Sequence, residues 1–143
     1  MHRLRDILHE HKLNFVERGE TVAEVARRMA ALNVGAILVL EDGKLSGIFS
    51  ERDLMTRVVV EGKDPNLTPV ESVMSTSIAT VEESATVEEA MTLMHDHKCR
   101  HLPMLRQGQV VVMVSMRDLM NFELELKTDE IRHMRAYIQE STH

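Results

Sequence analysis

Aromatic residues are scarce in this sequence, with three Phe, one Tyr and no Trp among 143 residues. Proteins that bind single-stranded nucleic acid by stacking need exposed aromatic platforms, so this composition excludes that class. Positive charge is also in deficit. The chain has 17 basic and 23 acidic residues and a net charge of -6, which argues against binding to a phosphate backbone.

Cysteine and long apolar runs are equally scarce. Cys99 is the single cysteine, which excludes a disulfide framework and favours a reducing compartment. The longest apolar runs, such as residues 36–40, are far too short to span a bilayer. The charged residues 1–11 do not resemble a secretory signal. We therefore expect a small, soluble, cytoplasmic protein with no membrane partner and no nucleic acid polymer as partner.

What the sequence does contain is an internal repeat. Residues 16–55 align without a gap on residues 81–120 at a constant shift of 65. Thr21 and Thr86 coincide in this alignment. Each is followed three residues later by Glu, so each is predicted to open a helix with a capping box. The chain divides into a first repeat (residues 4–62), a second repeat (68–121) and a C-terminal helix (122–143).

Each repeat has the pattern of a β-α-β-β-α unit. A short extended segment precedes the capped helix, and Gly35 is expected to break the chain after that helix in the first repeat. Asp42-Gly43 and Gln107-Gly108 then separate two apolar segments, which is typical of a β-hairpin. A second helix begins at Ser50 or Ser115. The predicted fold class is α/β (α+β).

Both ends of the chain add helices to these units. Residues 3–9 align with a short helix predicted after Pro69, so each repeat begins with a short helix. A charged C-terminal helix carries apolar residues that share one face: Leu126, Ile131, Met134 and Ile138. Such a helix packs on its own domain or on a second subunit, because a free membrane-surface helix would be more basic.

The candidate chemistry lies in the Ser-x-Arg-Asp segment where a strand leads into a helix in both repeats. Ser as N-cap and Asp in the first turn are also what helix formation alone favours. Helix formation does not explain Arg52 and Arg117, since a cation is disfavoured in a first turn. A helix N-terminus with a Ser hydroxyl and a guanidinium binds phosphate, and an Asp carboxylate accepts hydrogen bonds from ribose hydroxyls. The pattern therefore favours a ribose-phosphate ligand.

These motifs resemble the CBS domain, the module named after cystathionine β-synthase. The resemblance rests on residues 35–39, 47–53, 100–104 and 114–119, and it covers about residues 4–121. The chain is similar to small stand-alone bacterial CBS-pair proteins. This resemblance implies that the two repeats pack about a pseudo-two-fold axis with a cleft on either side. It also implies that the pair forms a homodimer shaped as a flat disc.

The same resemblance implies a regulatory, signal-transducing module, not an enzyme, with no catalytic residues and no metal. The ligand would be an adenosine compound: AMP, ADP, ATP, NAD(H) or S-adenosylmethionine. The carboxylates would hold ribose, the serines would lie near phosphate and the arginines would reach it: Asp53, Asp118, Ser50, Ser115, Arg52 and Arg117. The cleft walls would come from Val16, Gly35, Ala36, Ile37, Ala79, Thr80, Arg100, His101 and Pro103. An effector protein of unknown identity would receive the signal.

The second repeat departs from the family pattern at two positions. Met116 stands where a smaller or polar residue is expected. Val112 stands where the first repeat has Gly47, and the added side chain is expected to narrow the second cleft or to alter the strand twist. His101 and Arg100 add hydrogen-bond donors to the second cleft, which favours it as the occupied cleft. His11 has no counterpart in the repeat and is expected on the surface.

Two alternatives stay open at this point. One is a dimerisation scaffold whose clefts bind no ligand. The other is a metal-binding protein or enzyme that uses residues 95–101, in which His95 and Cys99 have the i, i+4 spacing of metal ligands. The repeat weakens the metal interpretation, because His97 and Cys99 align with apolar residues of the first repeat.

Overall fold

The computed structural model describes residues 2–141, and it confirms the predicted order of elements in both repeats. The first repeat comprises α1 (Leu4–Ile7), β1 (Phe15–Glu17), α2 (Val22–Leu32), β2 (Ala36–Glu41), β3 (Lys44–Ser50) and α3 (Glu51–Asp53), which continues as a π-helix (Leu54–Val59). The second repeat comprises a 3-10 helix (Val70–Ser72), β4 (Val81–Glu82), α4 (Val87–His97), β5 (His101–Arg106), β6 (Gln109–Ser115) and α5 (Met116–Ser141).

Each repeat contains a mixed three-stranded sheet. β1 is parallel to β2 and β2 is antiparallel to β3, and β4, β5 and β6 repeat this arrangement. The hairpin turns have positive φ at two successive residues, 51° and 78° at Asp42 and Gly43 and 51° and 80° at Gln107 and Gly108. This is the turn geometry that suits the twist of paired strands. β3 and β6 contact each other, so the two sheets meet across the pseudo-two-fold axis.

Both capped helices begin as predicted, but the first of them, α2, does not end at the predicted residue. The Thr21 hydroxyl accepts a hydrogen bond from the Glu24 amide at 3.3 Å, and Thr86 caps α4 in the same way. The prediction that Gly35 breaks the chain after α2 is wrong, because Asn33 takes the left-handed conformation there, with φ 55°. Asn adopts this conformation at helix C-termini because its short polar side chain tolerates it. Lys98 takes the same position after α4.

The opening helices of the two repeats are exchanged between the two hydrophobic cores. Leu4 and Leu8 are buried in the core of the second repeat, and the Leu4 amide donates to Ala85 O at 2.9 Å. Val70 and Val73 are buried in the core of the first repeat. The chain segment after each short helix therefore passes along the other repeat, which places it beside the other repeat's strand-to-helix junction.

Packing explains the difference between Gly47 and Val112. A Cβ at Gly47 would lie 2.8 Å from Cγ of Met74, a residue buried in the first core just after the 3-10 helix. The residue related to Met74 by the repeat is His9, which is exposed. Val112 is buried in the second core, where no side chain like that of Met74 competes with it. The expectation that Val112 narrows the second cleft is therefore wrong, since its side chain fills core space.

The two C-terminal elements predicted from sequence form one continuous helix, α5, of 26 residues. Leu126 is half-buried, whereas Leu124 and Ile131 are exposed. At 100° per residue Leu124 lies closer to the direction of Ile131 than Leu126 does, so Leu124 replaces Leu126 on the predicted apolar face. No helix within residues 2–141 is both long enough and apolar enough to cross a membrane.

Candidate functional site: two strand-to-helix junctions

The first junction joins β3 to α3 through a complete capping box. The Ser50 hydroxyl oxygen accepts a hydrogen bond from the Asp53 amide at 3.2 Å. Asp53 Oδ2 accepts two hydrogen bonds at 3.0 Å, from the Ser50 amide and from the Ser50 hydroxyl. The box forms because amides in the first turn of a helix have no partner within the helix. Ser50 and Asp53 are thus brought together as the sequence predicts, but the helix end occupies one carboxylate oxygen.

The other Asp53 oxygen also faces protein groups. Ser75 Oγ lies 3.4 Å from Asp53 Oδ1, and Arg57 Nε lies 3.7 Å from it. The Arg57 guanidinium also donates to Val73 O at 3.3 Å and to Met74 O at 2.8 Å, so it is anchored. The Asp53 side chain is only 11% exposed. The first carboxylate therefore has little surface left for a ligand.

The second junction repeats the capping box with fewer neighbours. The Ser115 amide donates to Asp118 Oδ2 at 2.9 Å, and the Asp118 amide donates to the Ser115 hydroxyl at 3.1 Å. His11 Nε2 lies 3.4 Å from the other oxygen, Asp118 Oδ1, and the Asp118 side chain is 22% exposed. His11 is itself exposed. The exposed imidazole of His11 thus lies next to the Asp118 carboxylate.

The two repeated arginines are exposed in the first turn after each junction. No salt bridge within the described part of the chain involves Arg52 or Arg117. The first and third amides of each helix already donate hydrogen bonds, at Glu51 and Asp53 and at Met116 and Asp118. An anion at a junction would therefore be bound chiefly by the guanidinium group. The arrangement is therefore chemically suited to a phosphate or carboxylate group at either junction.

Residues 35–36 and 100–101 lie directly beside the junctions because of the sheet register. Ala36 pairs with Ser50 and His101 pairs with Ser115. A Cβ at Gly35 would lie 3.3 Å from Glu51 Oε1 and 3.9 Å from His101 Cε1. Gly35 from one repeat and His101 from the other therefore lie close together, and a Cβ at Gly35 would be tight only against the Glu51 carboxylate.

His101 is a partly buried imidazole beside the second junction. Burial lowers the pKa of His101 from its ordinary value of 6.5. The carboxylates of Asp118 and Glu51 oppose this by raising the pKa, and the guanidinium groups of Arg100 and Arg117 lower it further. The imidazole is therefore neutral at pH 7, so it has one donor and one acceptor nitrogen.

The predicted wall residues outside the junctions differ in burial. Val16 and Ile37 are fully buried in the first core, and Pro103 is buried within β5. Ala79 is half-buried against the second core, and Thr80 is exposed just before β4. Core burial leaves the first three without side-chain surface for a ligand.

Sequence reasoning missed the groups that surround the two carboxylates. Arg57, Ser75 and Glu51 were not predicted as site residues, and His11 was expected only on the surface. Arg57 aligns with Phe122 and Ser75 aligns with Glu10 at the shift of 65, so a search for repeated chemistry does not find them. The exchange of the opening helices, a tertiary feature, is what brings Ser75 and His11 to the junctions.

The candidate metal segment at residues 95–101 is dispersed by the fold. His95 and His97 are exposed on α4, whereas Cys99 packs against the second core as Val34 packs against the first. Residues 2–141 contain no group of three or more His, Cys, Asp or Glu side chains placed to hold a metal ion. The alignment of Cys99 with an apolar position thus agrees with its packing.

Comparison with known proteins identifies the family. The family model described as CBS domain matches residues 4–60 and again residues 70–125. The chain belongs to the CBS-domain family. A mitochondrial CBS domain-containing protein of Arabidopsis thaliana, CBSX3, is 32% identical over an alignment of 125 residues, and the match covers 84% of this chain. The matched region spans 61% of that relative's length.

Solved structures of CBS-domain proteins share the fold. A protein with CBS domains from Burkholderia ambifaria is 29% identical with a TM-score of 0.82, and the match covers 87% of this chain and 95% of that one. A CBS domain pair in complex with 5′-methylthioadenosine and S-adenosyl-L-methionine has a TM-score of 0.74 at 20% identity, covering 85% and 98% of the two chains. CBS-domain pairs as a class are regulatory modules, not catalysts.

Proposed function

We propose that this chain is a non-catalytic, cytoplasmic regulatory module that binds an adenosine compound, with the second cleft as its principal site. The candidate ligands are AMP, ADP, ATP, NAD(H) and S-adenosylmethionine. The observation that carries the proposal is the Asp118 carboxylate. One of its oxygens caps α5, while the exposed His11 imidazole lies 3.4 Å from the other. A carboxylate held in this way is ready to accept hydrogen bonds from two vicinal ribose hydroxyls.

The groups around Asp118 fit the rest of such a ligand. Arg117 is exposed in the first turn of α5, and Arg100 is exposed just before β5, so both can meet a phosphate or carboxylate group. Neutral His101 offers one donor and one acceptor within the same region. An adenine ring needs no aromatic platform if aliphatic side chains and backbone amides enclose it.

The proposed signal follows from the position of His11. A ribose that binds Asp118 displaces the imidazole of His11, which lies on the segment that links α1 to β1. Because α1 packs on the second core while β1 belongs to the first, movement of this segment alters the relation between the repeats. A ligand shifts the population of two conformations by its difference in affinity for them. The output is a change in self-association as a homodimer or in binding to an effector protein.

A ligand panel tests this proposal. Purified protein is titrated with AMP, ATP, S-adenosylmethionine and NADH by thermal shift and by calorimetry. Because a ligand that binds only the folded state stabilises it, by about 2.7 kcal/mol at a hundred times Kd, at least one compound should raise Tm with concentration. If none does so at millimolar concentration, the sensor proposal fails and a ligand-free scaffold takes its place.

Matched variants test the choice of cleft. Asp118→Asn should weaken the active compound by more than about tenfold, because the amide lacks the charge that strengthens hydrogen bonds from ribose. Asp53→Asn is the control, with an expected loss of less than about threefold. Circular dichroism should show that both variants fold. Equal losses in the two variants would contradict the preference for the second cleft.

A further inference from the structure

The helix α5 extends well beyond the body of the protein. Phe122 is its last residue packed against the second core, and Leu126 is half-buried. Every residue from 127 to 140 is exposed. At 1.5 Å per residue, the segment after Leu126 projects by roughly 20 Å. An isolated helix of this length is marginal in water, so a contact outside this chain is expected to stabilise it.

The two faces of this projecting helix differ in a way that indicates where the contact lies. The face that packs on the body through Leu119, Phe122 and Leu126 continues as Asp129 and His133, so it turns polar where the body ends. The outward face carries large apolar residues along its length: Met120, Leu124, Ile131 and Met134 are 54%, 61%, 50% and 64% exposed. The apolar stripe therefore faces away from its own domain.

The spacing of the stripe is that of a coiled-coil heptad. Leu124 and Ile131 take a positions, and Met120 and Met134 take d positions. Ile138 falls at the next a position by spacing. Lys127 interrupts the apolar stripe at one d position. A long side chain there can bury its aliphatic part and keep its ammonium group in water. A β-branched residue at a favours two strands in a parallel coiled coil.

The charges that flank the stripe indicate both the partner and its direction. Glu130 is at a g position and Arg135 at the e position five residues later, which is the pair that forms salt bridges between parallel, in-register strands. An antiparallel pairing centred on this region would instead oppose Glu130 with its own copy. Residues 116–141 contain six acidic and four Lys or Arg residues, so the helix is not suited to an anionic membrane.

We propose that residues 120–138 form a parallel, in-register two-stranded coiled coil with the same segment of a second copy of this chain. The inference rests on the proposed self-association but not on ligand binding, since Asp118 lies in the first turn of α5, before the stripe begins. The coiled coil fixes the two chains in the same direction, with their second repeats side by side. Met120 and Leu124 then extend the contact between the two copies to the part of α5 that packs on its own domain.

Charge placed on the seam tests the surface. Ile131→Glu introduces two facing carboxylates and should weaken dimerisation on the order of a hundredfold, measured by sedimentation equilibrium. Ala136→Glu is the matched control on the opposite side of the same helix, and it should change the dimer constant by less than about twofold. A monomeric wild-type protein would overturn the proposed self-association. A dimer that resists Ile131→Glu would overturn the coiled coil alone.

Disulfide capture tests the direction of the strands. In a Cys99→Ala background, Leu124→Cys and Ile131→Cys should each form a disulfide-linked dimer on mild oxidation, because equivalent residues face each other only in a parallel, in-register pair. Ala136→Cys should stay monomeric on a non-reducing gel. Capture at only one of the two seam positions would indicate antiparallel strands, and capture at neither would place the contact elsewhere. Both results overturn the proposal.

Reversing the charges of Glu130 and Arg135 tests the register of the two strands, because a double variant should restore the dimer that the single variant weakens. Glu130→Arg should weaken the dimer by about fivefold, because two symmetric g–e′ salt bridges become repulsive. The double variant Glu130→Arg/Arg135→Glu restores opposite charges and should recover the wild-type dimer constant to within about twofold. A double variant as weak as the single one would contradict the parallel register.

Discussion

The two strand-to-helix junctions share the same Ser-x-x-Asp capping box, but the chain segments that cross them differ. At the first junction, Ser75 exchanges two backbone hydrogen bonds with Ile48, at 2.8 and 2.9 Å, and Met74 fills the space left open by Gly47. At the second junction, the crossing segment contributes His11, whose imidazole is exposed. The first junction is therefore a structural contact between the repeats, whereas the Asp118 side chain at the second junction is more exposed than that of Asp53, 22% against 11%.

The carboxylates of Asp53 and Asp118 therefore have different surroundings although the local motif is the same. The carboxylate of Asp53 is surrounded by Ser50, Ser75 and Arg57, all held by further bonds. The carboxylate of Asp118 has one oxygen beside a side chain that can move away without breaking any backbone contact at the junction. Accessibility depends on the neighbours that the exchanged helices bring, and not on the motif.

The largest effects are expected at the contact between Gly47 and Met74. Gly47→Ala forces the new Cβ against Met74 and should lower the free energy of unfolding by about 2 kcal/mol, the usual cost of overpacking a core. Chemical denaturation measures this loss. The size of the loss would show how strongly the first junction depends on close packing.

A double-mutant cycle is the control for that prediction. Met74→Ala alone leaves a cavity and should cost about 2–3 kcal/mol. Gly47→Ala/Met74→Ala should cost no more than Met74→Ala alone, because the clash disappears with the longer side chain. Additive losses would show that Gly47 matters for another reason and would remove packing as the basis for the comparison with Val112.

A smaller effect is expected from the side chains that flank the two carboxylates. Arg57→Gln removes the donor to Val73 O and Met74 O and the cation beside Asp53, so it should cost about 1–2 kcal/mol. His11→Gln removes only an exposed partner of Asp118 and should cost less than about 0.5 kcal/mol. Denaturation midpoints of the two variants provide the measurement. Equal costs would break the distinction between a structural and an accessible junction.

Local and repeated features of the molecule were predictable from the sequence. The hairpin turns at residues 42–43 and 107–108, the Thr caps and the pairing of Ser50 with Asp53 depend on interactions within a few residues. Because these patterns recur at a shift of 65 residues, they could be recognised in the sequence. The helix end at Asn33 was missed because Gly35, two residues later, is the more usual residue for that conformation.

Tertiary and unrepeated features were not predictable in the same way. Arg57 reaches Asp53 from the next turn of its own helix, but its anchors, Val73 O and Met74 O, come from the chain segment that crosses from the other repeat. Val16 and Ile37 were predicted in a cleft wall, yet their side chains are buried in the first core. The sequence pattern marks such positions as apolar without indicating which side of the sheet the ligand approaches.

The smallest expected effect concerns pH and the second junction alone, since the residue related to His101 in the first repeat is Ala36. Burial lowers the pKa of His101 below 6.5 in the folded protein. Above pH 6.5 the imidazole is neutral in both states and contributes no pH dependence. As pH falls below 6.5 the unfolded chain binds the proton first, so the stability of the fold decreases until pH passes the folded pKa.

Replacement of the imidazole isolates this contribution. In His101→Gln the group cannot titrate, so Tm should fall less between pH 7 and pH 5 than it does in the wild-type protein. His97→Gln, at the exposed end of α4, is the matched control and should keep the wild-type slope. If His101→Gln and the wild-type protein lose stability in parallel, then carboxylates elsewhere govern the acid response. That result would contradict the lowered pKa of His101 and with it the neutral imidazole proposed for the second cleft. The two junctions would then differ only in exposure.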